Sequence, residues 1–394
     1  MRHVSPLVPG HDTGGQGLAR ARRWQPAVAA FVAAAGLAAA GTPALASAAP
    51  PPDVFTKVNL ISNLATQHAS LVDPNLKNAW GITAGPGTPL WVSDNNSAKA
   101  TVYSGGINGS KVMLDLTVPV PGGNPTGQVF NSTKGFPVGG PSGPAAIFIL
   151  DSDSIGSTQS PGEIAAWDGG KKFVVEDSPT GGPGGMTPTG AVFKGLAIAA
   201  STKAGPELFA ADVANGTVDV FNSSFASVST PTEFKDPMLP AGYVPFGIQN
   251  LGNKIYVTYG KQNASKTDVL RGAGLGVVDV YSVNGVLLHH LVSNGSSSPL
   301  DAPWGLAIAP AGFGPFAGDL LVGNLGNGWV NAFNPATGAF MGTLDGSNGY
   351  PITIHGLWGL MVGNSAFGGS SSVVFSAGPN HYNNGVVGIL TPSS

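Results

Sequence analysis

The side chains able to hold an ion or move a proton are few, and most stand at the ends of short apolar runs. Asp94, Asp151, Asp212 and Asn324 close the runs "PLWVSD", "AIFILD", "ELFAAD" and "DLLVGN". Tyr259 closes "KIYVTY", and His381 lies just past "SVVFSA". Carboxylate and amide oxygens suit a hard divalent cation such as Ca2+, so Asp94, Asp212 and Asn324 form one candidate ligand set. Asp151 and Asp153 open "DSDSIG", which resembles the start of a calcium loop, with oxygen ligands at alternate positions and a turning glycine. The fifth position is Ile155, however, and Glu163 comes one residue late for the twelfth. Aspartate and asparagine also cap turns through their side chains, so a structural reading stands beside the chemical one at each position.

Acid–base chemistry would fall to histidine, which titrates near neutrality. His355 and His381 are expected near the mouth of the last blade, whereas His289 and His290 fall in an outer strand, where at least one is expected on the surface. There is no cysteine, so thiol and disulfide chemistry are excluded. No H-E-x-x-H, G-x-S-x-G or P-loop motif is present, and "GGPGG" (181–185) lacks the lysine and helix of a phosphate cradle.

The elements that must position these residues repeat. Glycine follows a bulky or polar residue in "NAWGIT", "FKGLAI", "PFGIQN", "PWGLAI" and "LWGLMV", at Gly81, Gly195, Gly247, Gly305 and Gly359, and "NPTGQVF" supplies Gly127 between the first two. A spacing of roughly 40–50 residues with four short strands per unit is the signature of propeller blades. Each unit contains a second run, named above, and a third: "ATVYS", "GEIAAWD", "GTVDVFN", "GVVDVYS", "GWVNAFN" and "GVVGIL". A fourth run is clear in four units and unclear in the third, and the last unit stops after its third. The unpaired run "VFTKVNLISN" (54–63) is therefore expected to close the last blade, removing the sheet edges that invite aggregation. The sequence predicts an all-β, six-bladed β-propeller. The innermost strands converge on the axis, where a Cβ would crowd the neighbouring backbone; this accounts for the glycines. Trp80, Trp304 and Trp358 precede three of them and serve either as packing between blades or as a stacking platform for a ligand.

Only 10% of residues are charged, while Gly (59) and Pro (33) abound, which fits strands and turns rather than helices. Arg20, Arg22 and Arg23, an alanine-rich apolar run and "TPALASAAP" predict a secretory signal peptide over residues 1–46, followed by one propeller domain over 47–394. Cleavage there leaves 14 basic and 20 acidic residues, a net charge of −6. No basic patch suited to nucleic acid follows, and no membrane span is expected in the mature chain.

"NAWGIT", "PTGQVFN", "GEIAAWD", "GLAIA", "PFGI" and "PWGLAIAP" together resemble an NHL-repeat-like β-propeller family of secreted bacterial proteins with no assigned function. The resemblance covers about Val54 to Pro392 and implies a six-bladed propeller and export. It supplies no catalytic residues. The expected function is a secreted, non-enzymatic binding or scaffold module for a small molecule, glycan or protein. Its site is expected on the channel-mouth face, drawing on Trp80, Trp304, Trp358, Tyr259, Asn324 and His381. The connection 260–276, with Lys261, Lys266, Asp268 and Arg271, is expected to rise over that mouth. The alternative is a metal-dependent hydrolase or lyase at the central channel, by analogy with lactonases and antibiotic-ring lyases.

Overall fold

The computed structural model describes residues 54–153, 162–177, 190–201 and 204–393. Within the unit Pro50–Ser394 the chain forms six sheets that follow one another along the sequence, antiparallel except for the short strand Leu71–Val72 that adds in parallel to blade 6, and these are the blades of a six-bladed β-propeller. The innermost strands are Ala79–Thr83, Pro125–Phe130, Phe193–Ser201, Tyr243–Leu251, Pro303–Ile308 and Leu357–Val362, in blades 1 to 6. Blades 1, 2 and 5 have four strands, and blade 4 carries a short extra strand, Val269–Leu270, on its second. Blade 3 has three strands. Beside its third strand (Thr217–Asn222) runs the segment 226–229, held by Val228 N–H to Val220 O and by Val220 N–H to Ser229 Oγ. This is why no fourth run was legible in that unit.

Blade 6 is closed as the sequence predicts. Phe55–Ser62 pairs antiparallel with the last strand, Val386–Pro392, so the first and last strands of the propeller lie side by side. Phe55 seals the join by stacking on Phe313 and Phe316 of blade 5. Hydrophobic side chains alternate to both faces of each blade and fill the gaps between neighbours; the core is a ring of inter-blade clusters rather than one centre.

All six innermost strands slip register beside the repeated glycine: the bulges fall at Ala79/Ile82, Pro125/Gln128, Phe193/Leu196, Pro245/Gly247, Pro303/Gly305 and Leu357/Leu360. A bulge bends the strand and re-aims its side chains. The glycines account for the tightness there. A Cβ on Gly81 would lie 2.2 Å from the carbonyl oxygen of Thr126, one on Gly127 2.2 Å from the amide nitrogen of Leu196, and one on Gly247 2.2 Å from the carbonyl oxygen of Trp304. Around the ring, each glycine abuts the innermost strand of the next blade.

Candidate functional site

The residues just before these glycines, Trp80, Thr126, Lys194, Phe246, Trp304 and Trp358, fall at the bulges, one from each blade. Together they close the axis. Trp80 and Trp358 stack with ring centroids 3.5 Å apart, and Trp304 meets both edge-on at 6.4 and 6.0 Å. Phe246 adds an edge contact to Trp358. The Lys194 ammonium sits 4.9 Å over the Trp80 ring and forms a buried 2.7 Å ion pair with Asp153. The indole N–H of Trp358 donates to Asn78 Oδ1 at 2.9 Å, and that of Trp304 to the Lys194 carbonyl at 2.8 Å. Beneath this plug the axial space left between the glycines is only about 10 Å³, roughly enough for one water. Trp80 and Trp358 are therefore packed against each other rather than open to a ligand; Trp304 is half-buried and lines the narrow axial space.

The candidate cation ligands do not converge. Asp212 accepts the amide N–H of Val192, Ala214 and Asn215 on Oδ1 and the Asn215 side chain on Oδ2, the work of a turn cap. Asp153 is committed to Lys194. Asp151 accepts the Thr126 hydroxyl at 2.7 Å, and burial pushes its carboxyl up to about 7. Burial also raises Asp94 well above the carboxylate range; the hydroxyl of Thr101 and the charge of Lys99 oppose that shift, while Asp73 adds to it. Asn324 donates to Pro299 O and to Asn327 Oδ1. Residues 154–161, the rest of "DSDSIG" and its loop, lie outside the described residues. Tyr259 is buried in blade 4 and exchanges a 2.7 Å hydrogen bond with Tyr281 instead of facing the mouth.

His381 is placed where a ligand could reach it. It lines a cavity of about 390 Å³ between blades 5 and 6 with Gln67, Arg271, Asn327, His355 and Tyr382, over a floor that includes Gly326, Gly328, Gly356 and Gly378. The elements are those the repeat assigns to the mouth face. Gly326 to Gly328 follow the second strand of blade 5 (Leu320–Asn324), and Gly378 to Tyr382 follow that of blade 6 (Val373–Ala377). His355 precedes the innermost strand of blade 6. Arg271 comes from the charged connection in blade 4, and its guanidinium lies 5.2 Å over the Tyr382 ring. Tyr382 in turn packs 5.6 Å from Trp358, so the cavity wall rests on the axial plug.

Two features set this cavity apart among the described residues of the face. Asn380, His381 and Tyr382 are three successive non-glycine residues at positive φ (56°, 55° and 66°). That conformation is costly for each, and backbone bonds from Tyr382, Asn383 and Asn384 back to Gly378, Asn380 and Pro379 hold it. The lining also carries an arginine and two histidines and no carboxylate. The sequence pointed to His381, His355 and the 260–276 connection; Gln67 and Tyr382 carried no signal, since neither occupies a repeated position.

A second polar group lies in blade 4. His290 on the outermost strand (Leu287–Val292) is the direct cross-strand partner of Asp279 on the third (Val277–Ser282). Its Nδ1 is 2.7 Å from Asp236 Oδ2 and 3.0 Å from Asp279 Oδ1. Asp279 also accepts the Tyr281 hydroxyl at 3.2 Å, and burial with the Asp236 charge raises its carboxyl to about 7. The sequence expected at least one of the paired histidines to be exposed, and His289 is; His290 is half-buried.

No family model matches the sequence. Two uncharacterised proteins of Acanthamoeba polyphaga mimivirus are similar to it: one is 29% identical over 343 residues, covering 85% of this chain and 80% of that protein, and the other is 29% identical over 342 residues, covering 85% of each. Among solved structures, an alpha-L-arabinanase of Penicillium chrysogenum complexed with arabinobiose superposes with a TM-score of 0.52 at 13% identity, over 85% of this chain and 98% of that one. Virginiamycin B lyase from Staphylococcus aureus gives a TM-score of 0.48 at 13% identity, over 86% and 99%. At such identities the arabinanase likeness is one of fold, and the lyase likeness carries no argument. The sequence relatives are viral, so the matches lend nothing to the bacterial and secreted character that the family resemblance implied. No helix among the described residues is long and apolar enough to cross a membrane.

Proposed function

We propose that this propeller is a non-enzymatic binding module, exported after removal of its N-terminal segment, and that it takes a small acidic ligand in the mouth-face cavity between blades 5 and 6. The observation that carries this reading is the chemistry of the lining: Arg271, His355 and His381 around about 390 Å³, with Asn327 and Gln67 as neutral partners and no carboxylate. Pockets of this size with a few convergent polar groups are the usual place for a small molecule. A guanidinium is matched to carboxylate or sulfate by its planar fork of donors, and the Tyr382 ring beneath Arg271 limits how far that fork can wander.

The test is a thermal-shift panel of acidic sugars and dicarboxylates, with glucuronate, galacturonate, sialic acid and citrate as probes. A ligand that binds only the folded state raises stability by about 2.7 kcal/mol at a hundredfold its dissociation constant. The proposal expects at least one acidic probe to raise the melting temperature of the native chain and not of Arg271→Ala, while the matching neutral sugar does neither. Equal shifts in both proteins would place the ligand elsewhere.

A further inference from the structure

We propose that Asp236, Asp279 and His290 form a binding site for a divalent transition ion of the zinc class, on the outer half of blade 4. The three ligand atoms, Asp236 Oδ2, Asp279 Oδ1 and His290 Nδ1, lie within 4.8 Å of one another. Two of the separations are already 2.7 and 3.0 Å. Ligands about 2.0 Å from a tetrahedral zinc ion stand roughly 3.3 Å apart, so the two histidine–carboxylate separations need to open by only about half an ångström to seat the ion.

The remaining atom of each ligand is already held. His290 Nε2 is 2.9 Å from Ser293 Oγ, which fixes the ring with its other nitrogen turned to the carboxylates. Asp236 Oδ1 accepts the Met238 amide at 2.8 Å, and Asp279 Oδ2 accepts the Tyr281 hydroxyl. Behind Tyr281 stands Tyr259, hydrogen-bonded to it at 2.7 Å. An outer layer that orients each ligand is how protein metal sites are built. The charges also fit. Both carboxylates are fully buried and face one imidazole; a single Nδ1 proton can satisfy one oxygen well, whereas a divalent ion with neutral imidazole balances both. The nitrogen ligand selects against Ca2+ and Mg2+, which prefer oxygen alone.

The architecture makes the arrangement specific to this blade. His290 and Asp279 are cross-strand partners on one face. Asp236 reaches them from the long connection that replaces a fourth strand in blade 3 and whose Phe234 packs on Tyr281. A hairpin of blade 4 and a connection from blade 3 thus meet at one point, with the His290 side chain the one partly exposed member and the route by which an ion would arrive.

The experiment is titration of the tag-free full chain with Zn2+ by calorimetry, and with Co2+ by visible absorption, in which a low-coordinate nitrogen–oxygen site gives a distinct spectrum. One ion per chain is expected. Binding should weaken by about 100-fold or more in His290→Gln and Asp279→Asn, and about 10-fold in Ser293→Ala, which loses only the outer support. His289→Gln, and the double variant His355→Gln/His381→Gln at the mouth cavity, should bind as the native chain does. Circular dichroism of each variant without metal checks folding; if Asp279→Asn does not fold, Ser293→Ala and the cobalt spectrum still decide. Absence of binding to the native chain, binding unchanged in His290→Gln, or binding lost in the mouth-cavity variant would each overturn the proposal.

Discussion

The plugged axis and the cavity beside it are built from adjoining residues of the same blades, yet they follow opposite rules. On the axis, six equivalent positions bring six side chains together, and the result is closed: Trp80 lies on Trp358, Lys194 is paired with Asp153, and the glycines let neighbouring backbones touch. In the cavity almost nothing is equivalent. Arg271 comes from the charged connection of blade 4, and His381 and Tyr382 sit in a left-handed turn of blade 6 that has no counterpart among the described residues of the other blades. The repeated positions carry the architecture, and the departures from the repeat carry the chemistry.

That contrast can be broken most forcefully on the axis. Trp358→Ala removes the centre of the aromatic plug and should cost about 3–5 kcal/mol, read as a shift in the denaturation midpoint. Gly127→Ala drives a methyl into the backbone of blade 3, 2.2 Å from the Leu196 nitrogen, and should cost about 3 kcal/mol. Gly195→Ala, where the nearest atom is 3.2 Å away, should cost clearly less; equal costs would mean that the ring of glycines is not what sets the spacing of the blades.

A more gradual effect should be seen in pH. Asp151 and Asp219 ionise near pH 4 in an unfolded chain, but burial holds them protonated to about 7 in the fold. Between those values the folded chain binds more protons than the unfolded one, so stability should fall as pH rises from about 4 to 7 and then level. Asp151→Asn should flatten that slope by at most about 1.4 kcal/mol per pH unit, the effect of one proton. The smallest change in stability belongs to the cavity. Arg271→Ala is exposed and should alter unfolding by no more than about 0.5 kcal/mol while abolishing the shift produced by an acidic probe. A large loss of stability there would mean that the cavity is architecture too.

The blades were legible because a strand leaves a local signature, and the repeat multiplied it six times. The closing strand at 55–62 was legible because the last unit lacked a partner for its edge. The roles of individual polar residues were not. Asp94, Asp151 and Asp212 share a repeated place, but Asp212 is spent on three backbone amides, Asp151 on Thr126, and Asp94 is shut into the core, because each finds different partners within its own blade. Trp80 and Trp358 were expected near the mouth, and the register slip at each bulge is what brings them face to face on the axis. The meeting of Asp236 with His290 depends on a connection of irregular path, and Gln67 reaches the cavity from the first strand's far side; pairings of that kind have no period to betray them.

The central claim, that ligand chemistry resides in the cavity between blades 5 and 6 and not on the axis, is tested most directly by histidine-ring NMR during titration with the acidic probe that gives the largest thermal shift. The account predicts that the ring signals of His355 and His381 move together and saturate with the probe, while those of His68 and His289 stay in place. Movement of neither cavity histidine, or movement of the tryptophan indole signals alone, would contradict it and return the ligand to the axis.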